Sequence, residues 1–243
     1  MIKLAILGFC GKMGQRIFAL AKSDRALKVV MGLERKGHPE VGKTIDGVRI
    51  ADNLEEIQDA DCIIDFTVAE ATLENLPYIV KYKKHAVIGT TGLTESQQEK
   101  IKEAAKKTAI VFSPNMSVGV NLLFNLVEAA SKTLNGYEVL IEEAHHIHKK
   151  DAPSGTAKKI AEIINKQGFG IKTEDIKAIR EDEIVGDHKI VFESEVDRIE
   201  LFHHAKTRDI FVKGALIAAK WVCSRKTGLY SMSDVLFEKN KTI

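Results

Sequence analysis

Apolar runs and amphipathic stretches alternate through the first half of the chain. "IKLAIL" (2–7) predicts a buried strand. "KMGQRIFALAK" (12–22) predicts a helix with Met13, Ile17, Leu20 and Ala21 on one face. "LKVVMGL" (27–33) predicts a second strand, and "DCIIDFT" (61–67) a third, followed by a helical pattern to about Lys83. "HAVIGTTG" (85–92) predicts a fourth strand, after which Thr94, Glu95, Ser96 and Gln97 form a helix start of capping-box type. "AIVFSPN" (109–115) predicts a fifth. Continuous apolar strands separated by helices imply a parallel sheet covered on both faces.

The pattern changes near residue 117. A longer helix (120–134) leads into the strand "YEVLIEEAHH" (137–146), and "TAKKIAEIINKQG" (156–168) predicts a helix capped at Gly168. Residues 189–205 predict two consecutive antiparallel strands. The chain returns to helix between Ile210 and Cys223, and "GLYSMSDVL" (228–236) follows. With 243 residues, two domains fit comfortably.

Charge narrows the partners. The 36 basic and 34 acidic residues nearly balance, at a formal +2, which gives no reason to expect nucleic acid or a membrane surface. No apolar run approaches the ~18–20 residues needed to cross a bilayer, and no positive-then-apolar leader precedes "IKLAIL". Cys10, Cys62 and Cys223 are scattered, without C-x-x-C spacing, and read as reduced thiols. A cytoplasmic location is expected.

The first chemical signal is "ILGFCGKMGQ", which places Gly8, Gly11 and Gly14 between the first strand and its helix. The spacing is G-x-x-G-x-x-G, with Cys10 where the central glycine of G-x-G-x-x-G would stand. Gly8 permits a tight turn, Gly11 lets backbone N–H groups approach a pyrophosphate, and Gly14 allows close helix–sheet packing. The helix N-terminus then offers its positive dipole end to the phosphates. The second strand ends in Glu34 and Arg35. Glu34 stands where an acid grips the adenosine ribose hydroxyls, and Arg35 could meet a 2′-phosphate, so both NADH and NADPH are expected cofactors. Ligands bind beyond the carboxyl ends of parallel strands. The loops "GTTG" (89–92) and "SPNMSVGVN" (113–121) should therefore line the nicotinamide side.

The second signal is "HHIHKKDAPSGT" (145–156). Three histidines suggest a metal, but the adjacent lysines repel cations and the cysteines lie far away, so no metal site is expected. An anion that must also receive a proton accounts for every element. Asp151 and Pro153 set a turn, Ser154 is placed as an N-cap, and the N–H groups at Gly155 and Thr156 can hold a carboxylate or phosphate. Lys149 supplies positive charge, and a nearby histidine is suited to proton transfer around neutral pH. Successive strand residues face opposite ways, so His145 and His146 cannot both face one ligand while the strand persists.

The segment "EEAHHIHKKDAPSGTA" closely resembles the E-x-H-H-x-x-K-x-D-x-P-S-G-T-A segment of the dihydrodipicolinate reductase family, whose members are 4-hydroxy-tetrahydrodipicolinate reductases of the diaminopimelate route to lysine. The resemblance extends over nearly the whole chain: "GFCGKMG", "DFT" (65–67), "GTTG", "SPNMSVGVN", "EIVGDH" (183–188) and "SDVL" (233–236) recur in order. It implies an α/β fold: a Rossmann-type parallel-sheet nucleotide-binding domain (1–117) and an inserted mixed α/β substrate-binding and oligomerisation domain (118–216). Residues 217–243 would return to the first domain, and the assembly would be a homotetramer. It further implies His145 and Lys149 at the proton-donor positions, with His146, Gly155 and Thr156 holding the substrate carboxylates. Gly8, Phe9, Cys10, Gly11, Lys12, Met13, Glu34, Arg35, Gly89, Thr90, Thr91, Ser113, Pro114, Asn115 and Met116 would line NADH or NADPH.

Three positions depart from the family pattern. Lys12 replaces an arginine of the glycine turn, Phe9 and Cys10 replace a smaller pair, and Asp182 stands where glycine is common. The competing readings are an amino-acid dehydrogenase such as an aspartate dehydrogenase, or a non-catalytic nucleotide-sensing module. Neither gives a reason for the His-Lys cluster before Ser154.

Overall fold

The structure is a computed structural model and describes residues 1–237. It divides into two compact units, Met1–Ser117 with the chain from Phe211 onward, and Val118–Ile210.

In the first unit the strands are β1 (Ile2–Leu7), β2 (Leu27–Leu33), β3 (Thr44–Ile45), β4 (Val48–Ala51), β5 (Cys62–Asp65), β6 (His85–Ile88) and β7 (Ala109–Phe112). The helices are α1 (Lys12–Ala21), α2 (Ala69–Lys81) and α3 (Glu95–Ala105). Later in the chain come α4 (Val118–Thr133), β8 (Glu138–His145), α5 (Gly155–Asn165), β9 (Lys177–Arg180), β10 (Asp187–Glu193), β11 (Arg198–His204), α6 (Asp209–Val222), β12 (Gly228–Tyr230) and α7 (Met232–Phe237).

The first unit holds an eight-stranded sheet in the order β12-β7-β6-β5-β1-β2-β4-β3, parallel except for the β3–β4 hairpin. Its central strands are apolar on both faces, as sheets covered from both sides require. Leu4, Ile6, Ile64, Val87 and Val111 pack toward one layer, and Ala5, Ile63, Ala86, Ile88 and Ile110 toward the other. Thr94 caps α3 in a complete capping box, with Gln97 Oε1 accepting from the Thr94 N–H at 2.8 Å.

The second unit is a four-stranded sheet in the order β11-β10-β8-β9, antiparallel except for the β8–β9 pair. Strand β8 alternates: Ile141, Glu143 and His145 are buried, and the residues between them are not. The inner face packs on α4 and α5 through Leu123, Val127, Ile160, Ile164, Ile190 and Phe192.

Several expectations need correction. The strands β3, β4 and β9 are too short to show a period in sequence. Helix α5 ends at Asn165 with Lys166 as its C-cap, and Gly168 lies beyond it at φ +90°. The return to the first unit falls at Phe211 rather than 217, because the apolar face of α6 from Val212 onward belongs to the first core. Asp182 explains its own departure. Its φ of +46° is the left-handed conformation that glycine adopts freely and aspartate tolerates.

Candidate active site

The first unit contributes a nucleotide cradle. Strand order reverses at β1, which pairs with β2 on one side and β5 on the other, so the carboxyl ends of β1 and β5 border a topological switch point. Gly8 turns the chain there at φ +66°. The Gly8 and Phe9 N–H groups donate to the Leu33 carbonyl (2.9 and 3.2 Å), and the Gly11 N–H donates to the Gly8 carbonyl (3.0 Å). Gly11 is the N-cap of α1 and brings no side chain to cap its first N–H groups, which leaves them for an anion. A Cβ on Gly14 would lie 2.3 Å from the Gly8 carbonyl oxygen, so only glycine lets α1 approach the turn. Glu34 Oε1 accepts the Cys10 N–H at 2.7 Å, which sets the acid beside the turn. Burial, and then the Glu34 charge, raise the pKa of the Cys10 thiol. These features fit a dinucleotide.

The loops after β5 and β6 are tied together under this cradle. Asp65 is fully buried, and its Oδ1 accepts from the Thr67 N–H (2.9 Å), the Thr67 hydroxyl (2.6 Å) and the Thr90 hydroxyl (3.4 Å). Its Oδ2 accepts from Asn75 at 3.2 Å. The "DFT" and "GTTG" segments thus form one hydrogen-bonded floor.

Not every expected cofactor residue turns its side chain outward. The Phe9 ring is fully buried beside Phe18 and fills the space over Gly32, where a Cβ would come within 2.5 Å of it. Thr90 is engaged with Asp65 and Thr72, and Met116 lies in the core. These three can meet a ligand only through backbone. The Ser113 hydroxyl is spent on the Asn115 carbonyl at 2.8 Å. Gly89 makes room for the Phe66 ring. Gly11, Lys12, Arg35, Thr91 and Pro114 are exposed, and Gly8, Cys10, Met13, Glu34 and Asn115 partly so.

In the second unit the period of β8 puts Glu143 and His145 on the same buried face, two residues apart. Glu143 Oε2 is hydrogen-bonded to His145 Nδ1. Arg180, at the end of β9 and paired in register with His145, clamps the same carboxylate, with Nη2 2.7 Å from Oε1 and Nη1 3.0 Å from Oε2. The Ser154 N–H donates to Oε1 at 3.0 Å. Burial alone would raise the Glu143 pKa, but the hydrogen bonds from His145, Arg180 and the Ser154 N–H outweigh it and bring it to about 2. Glu143 is therefore an anion at neutral pH.

His188, on β10, joins this group from the other side. Its ring meets the His145 ring edge-on at 5.3 Å, and its Nε2 lies 3.3 Å from Ser154 Oγ. Burial, and then the neighbouring His145, lower its pKa to about 3, so it remains neutral. The His203 ring lies beyond it, tilted by 48° with centroids 6.5 Å apart. Gly186 completes the wall. A Cβ there would lie 2.9 Å from His145 Nε2.

Strand β8 ends at His145, one residue earlier than expected, and the chain turns through His146–Lys149 with the Lys149 N–H donating to the His146 carbonyl at 3.0 Å. His146 and His148 bring their rings 6.2 Å apart. Lys149 Nζ is held by Asp151 Oδ1 at 2.7 Å. Ser154 caps α5, accepting the Ala157 N–H at 3.2 Å, and the space over Gly155 is open. The Arg180 side chain also donates to the Asp151 carbonyl at 2.5 Å, so one guanidinium braces both the histidine's partner and the loop that carries Lys149. The expected residues His145, Lys149, Gly155 and Thr156 thus belong to one framework built around Glu143. Glu143, Arg180, Gly186 and His188 were not among the expected residues.

Comparison with known proteins gives a consistent answer. Residues 2–116 match the family described as dihydrodipicolinate reductase, N-terminus, and residues 119–236 its C-terminus. The 4-hydroxy-tetrahydrodipicolinate reductases of Geotalea uraniireducens and Methanosarcina barkeri are 40% and 41% identical, over 97% of this chain and 99% of each relative. A dihydrodipicolinate reductase from Paenisporosarcina sp. TG-14, solved with dipicolinate bound, superposes with a TM-score of 0.81. It is 26% identical and covers 95% of this chain and 97% of its own.

Proposed function

Since the chain belongs to the dihydrodipicolinate reductase family, we propose that it performs that family's reaction with His145 as the proton donor and Lys149 as a carboxylate holder. The enzyme is an oxidoreductase that reduces 4-hydroxy-tetrahydrodipicolinate to tetrahydrodipicolinate, on the diaminopimelate route to lysine. NADH or NADPH, when bound, supplies the hydride. Overall one hydride and one proton are added and one water leaves.

The observation that carries the assignment of roles is the carboxylate of Glu143 on His145 Nδ1. A fixed anion there holds Nδ1 and orients the ring, so that Nε2 is the nitrogen left to deliver a proton as hydride addition to the conjugated C=N system builds up negative charge. The substrate is a dicarboxylate. Its carboxylates would be taken by the N–H groups of Gly155 and Thr156, by His146 and by Lys149 Nζ. Dipicolinate, bound by the Paenisporosarcina relative, is likewise a six-membered nitrogen ring carrying two carboxylates. In the nucleotide unit, the N–H groups of Cys10 to Met13 would take the pyrophosphate. Glu34 would exchange the Cys10 N–H for ribose hydroxyls, and Arg35 or Lys12 would meet a 2′-phosphate.

A homotetramer in the cytoplasm completes the proposal. Its support is the outer face of the second sheet, where Leu140 on β8 and Phe202 on β11, either side of β10, share one face and are 57% and 61% exposed. No helix among the described residues is long and apolar enough to cross a membrane. The function is tested by expressing the chain in a bacterium that lacks its own reductase and requires diaminopimelate. Growth without the supplement supports the proposal, and continued auxotrophy with soluble protein present rejects it.

A further inference from the structure

The nucleotide turn gathers a set of donor atoms that hydride transfer does not use. After β2, residues 35–38 form a tight turn, with the His38 N–H donating to the Arg35 carbonyl at 3.2 Å and Gly37 at φ +75°. The turn carries the His38 imidazole back over the end of β2. Cys10 arrives from the turn after β1, and Glu34 from the end of β2 itself. One ligand atom from each of Cys10, Glu34 and His38 lies within 4.8 Å of the other two. All three residues are partly exposed, so an ion could enter from solvent. The Cys10 N–H bond to Glu34 Oε1 already holds this carboxylate beside the thiol. Glu40 adds a second carboxylate to the field at Cys10, although its own Oε1 is paired with Lys43 Nζ at 2.9 Å.

We propose that Cys10, Glu34 and His38 form a binding site for a divalent transition-metal ion of the Zn²⁺ type. A thiolate, an imidazole nitrogen and a carboxylate oxygen are the donors that such borderline ions prefer, whereas Mg²⁺ and Ca²⁺ call for oxygen alone. Three protein ligands leave a fourth position to water. In a tetrahedron of metal bonds of ~2.0–2.3 Å, donors stand about 3.5 Å apart. The three side chains therefore need close by little more than an ångström. The thiol loses its proton to solvent as the sulfur–metal bond forms. His38 Nδ1 accepts only a long hydrogen bond, from the Glu40 N–H at 3.3 Å, which the ion would replace or leave according to the nitrogen it takes. No metal was expected from sequence, where the 145–148 histidines stand among lysines and the cysteines lie far from them; the fold brings Cys10 to a different histidine and an acid 24 or more residues away.

The site has a consequence that rests on the family's use of NADH or NADPH. Glu34 cannot hold the metal and the adenosine ribose at once, so ion and dinucleotide should compete. The ion would act as an inhibitor at the adenosine end.

The test is a Co²⁺ titration of the chelator-treated full-length protein, followed by the thiolate-to-cobalt charge-transfer absorption in the near ultraviolet. One equivalent is expected to saturate the band. Cys10→Ser should abolish it although Cys62 and Cys223 remain, and His38→Ala, on an exposed loop, should weaken Co²⁺ binding at least tenfold. Far-ultraviolet circular dichroism checks that both variants are folded. Absence of the band, or its persistence at full affinity in either folded variant, overturns the site. Adding NADH should raise the apparent Co²⁺ dissociation constant in proportion to its concentration, and an unchanged constant would overturn the shared use of Glu34. A failure of the chain to reduce the dicarboxylate leaves the titration untouched, so the two readings fall separately.

Discussion

Arg180 and Glu143 meet in a two-point contact, with Nη2–Oε1 at 2.7 Å and Nη1–Oε2 at 3.0 Å, across neighbouring strands β9 and β8. The carboxylate side chain is fully buried and the guanidinium largely so. Geometry of this kind satisfies both oxygens while one of them also serves His145. The pair holds a carboxylate fixed inside the protein, where it sets the position of the imidazole next to it.

Removing the cation should therefore be expensive. Arg180→Met leaves a buried carboxylate with only its His145 and Ser154 partners, and we expect a loss of about 3 kcal/mol, the low end for breaking a buried pair. Urea denaturation measures it. A midpoint equal to wild type would show that the clamp carries no stability.

The proton-donor assignment predicts an ordered series in the reductase reaction. His145→Gln should lower kcat by roughly 10²–10⁴-fold. Glu143→Gln, which keeps the shape and removes the charge, should lower kcat by roughly 10–10³-fold with a smaller effect on KM. Lys149→Ala should damage both constants, since its ammonium would hold the substrate carboxylate and would also stabilise the negative charge that grows on the ring in the transition state. Steady-state kinetics across pH checks all three, and wild-type turnover from His145→Gln would give the proton to another group.

Gly186 offers a geometric test. Its missing Cβ would sit 2.9 Å from His145 Nε2, so Gly186→Ala pushes the imidazole without altering its chemistry. We expect kcat to fall at least tenfold, with a stability loss of about 1–3 kcal/mol from overpacking. Retained kcat would mean that the Nε2 position does not matter.

His188 predicts the pH dependence of stability. Its pKa is lowered to about 3 in the fold, against ~6.5 in an unfolded chain. The unfolded chain then binds the extra proton first, so stability is complete above about pH 6.5 and falls by up to about 1.4 kcal/mol per unit below it. Glu143, lowered to about 2, contributes stability that is present above the usual ~4.5 and is lost only as pH drops below it. Urea midpoints at pH 7.5 and 5.5 separate the two. His188→Gln should lose about 1 kcal/mol less than wild type over that interval, and equal losses would contradict the neutral buried imidazole.

What could be read from sequence follows from how local each signal is. Long apolar strands, the glycine turn and the Ser154 cap are patterns within a dozen residues, and "IKLAIL" and "LKVVMGL" match β1 and β2 to the residue. Arg180 ends a four-residue strand and acts on a carboxylate 37 positions earlier, so nothing near it announces the contact. His188 and Gly186 gain meaning only once β10 is laid beside β8. The Phe9 side chain was illegible for the opposite reason. It lies inside the nucleotide motif, yet Gly32 on β2 opens a hole that draws its ring into the core.

The most direct measurement is a coupled assay. A synthase condenses pyruvate with aspartate semialdehyde to form the hydroxylated dicarboxylate, and this chain is added with NADH or NADPH while absorbance of the reduced nicotinamide is followed. The account predicts oxidation that requires both the condensation product and the added chain, and that collapses in His145→Gln. Absorbance that stays level with wild-type chain, in a cuvette where the Methanosarcina barkeri relative consumes the same substrate, would contradict it.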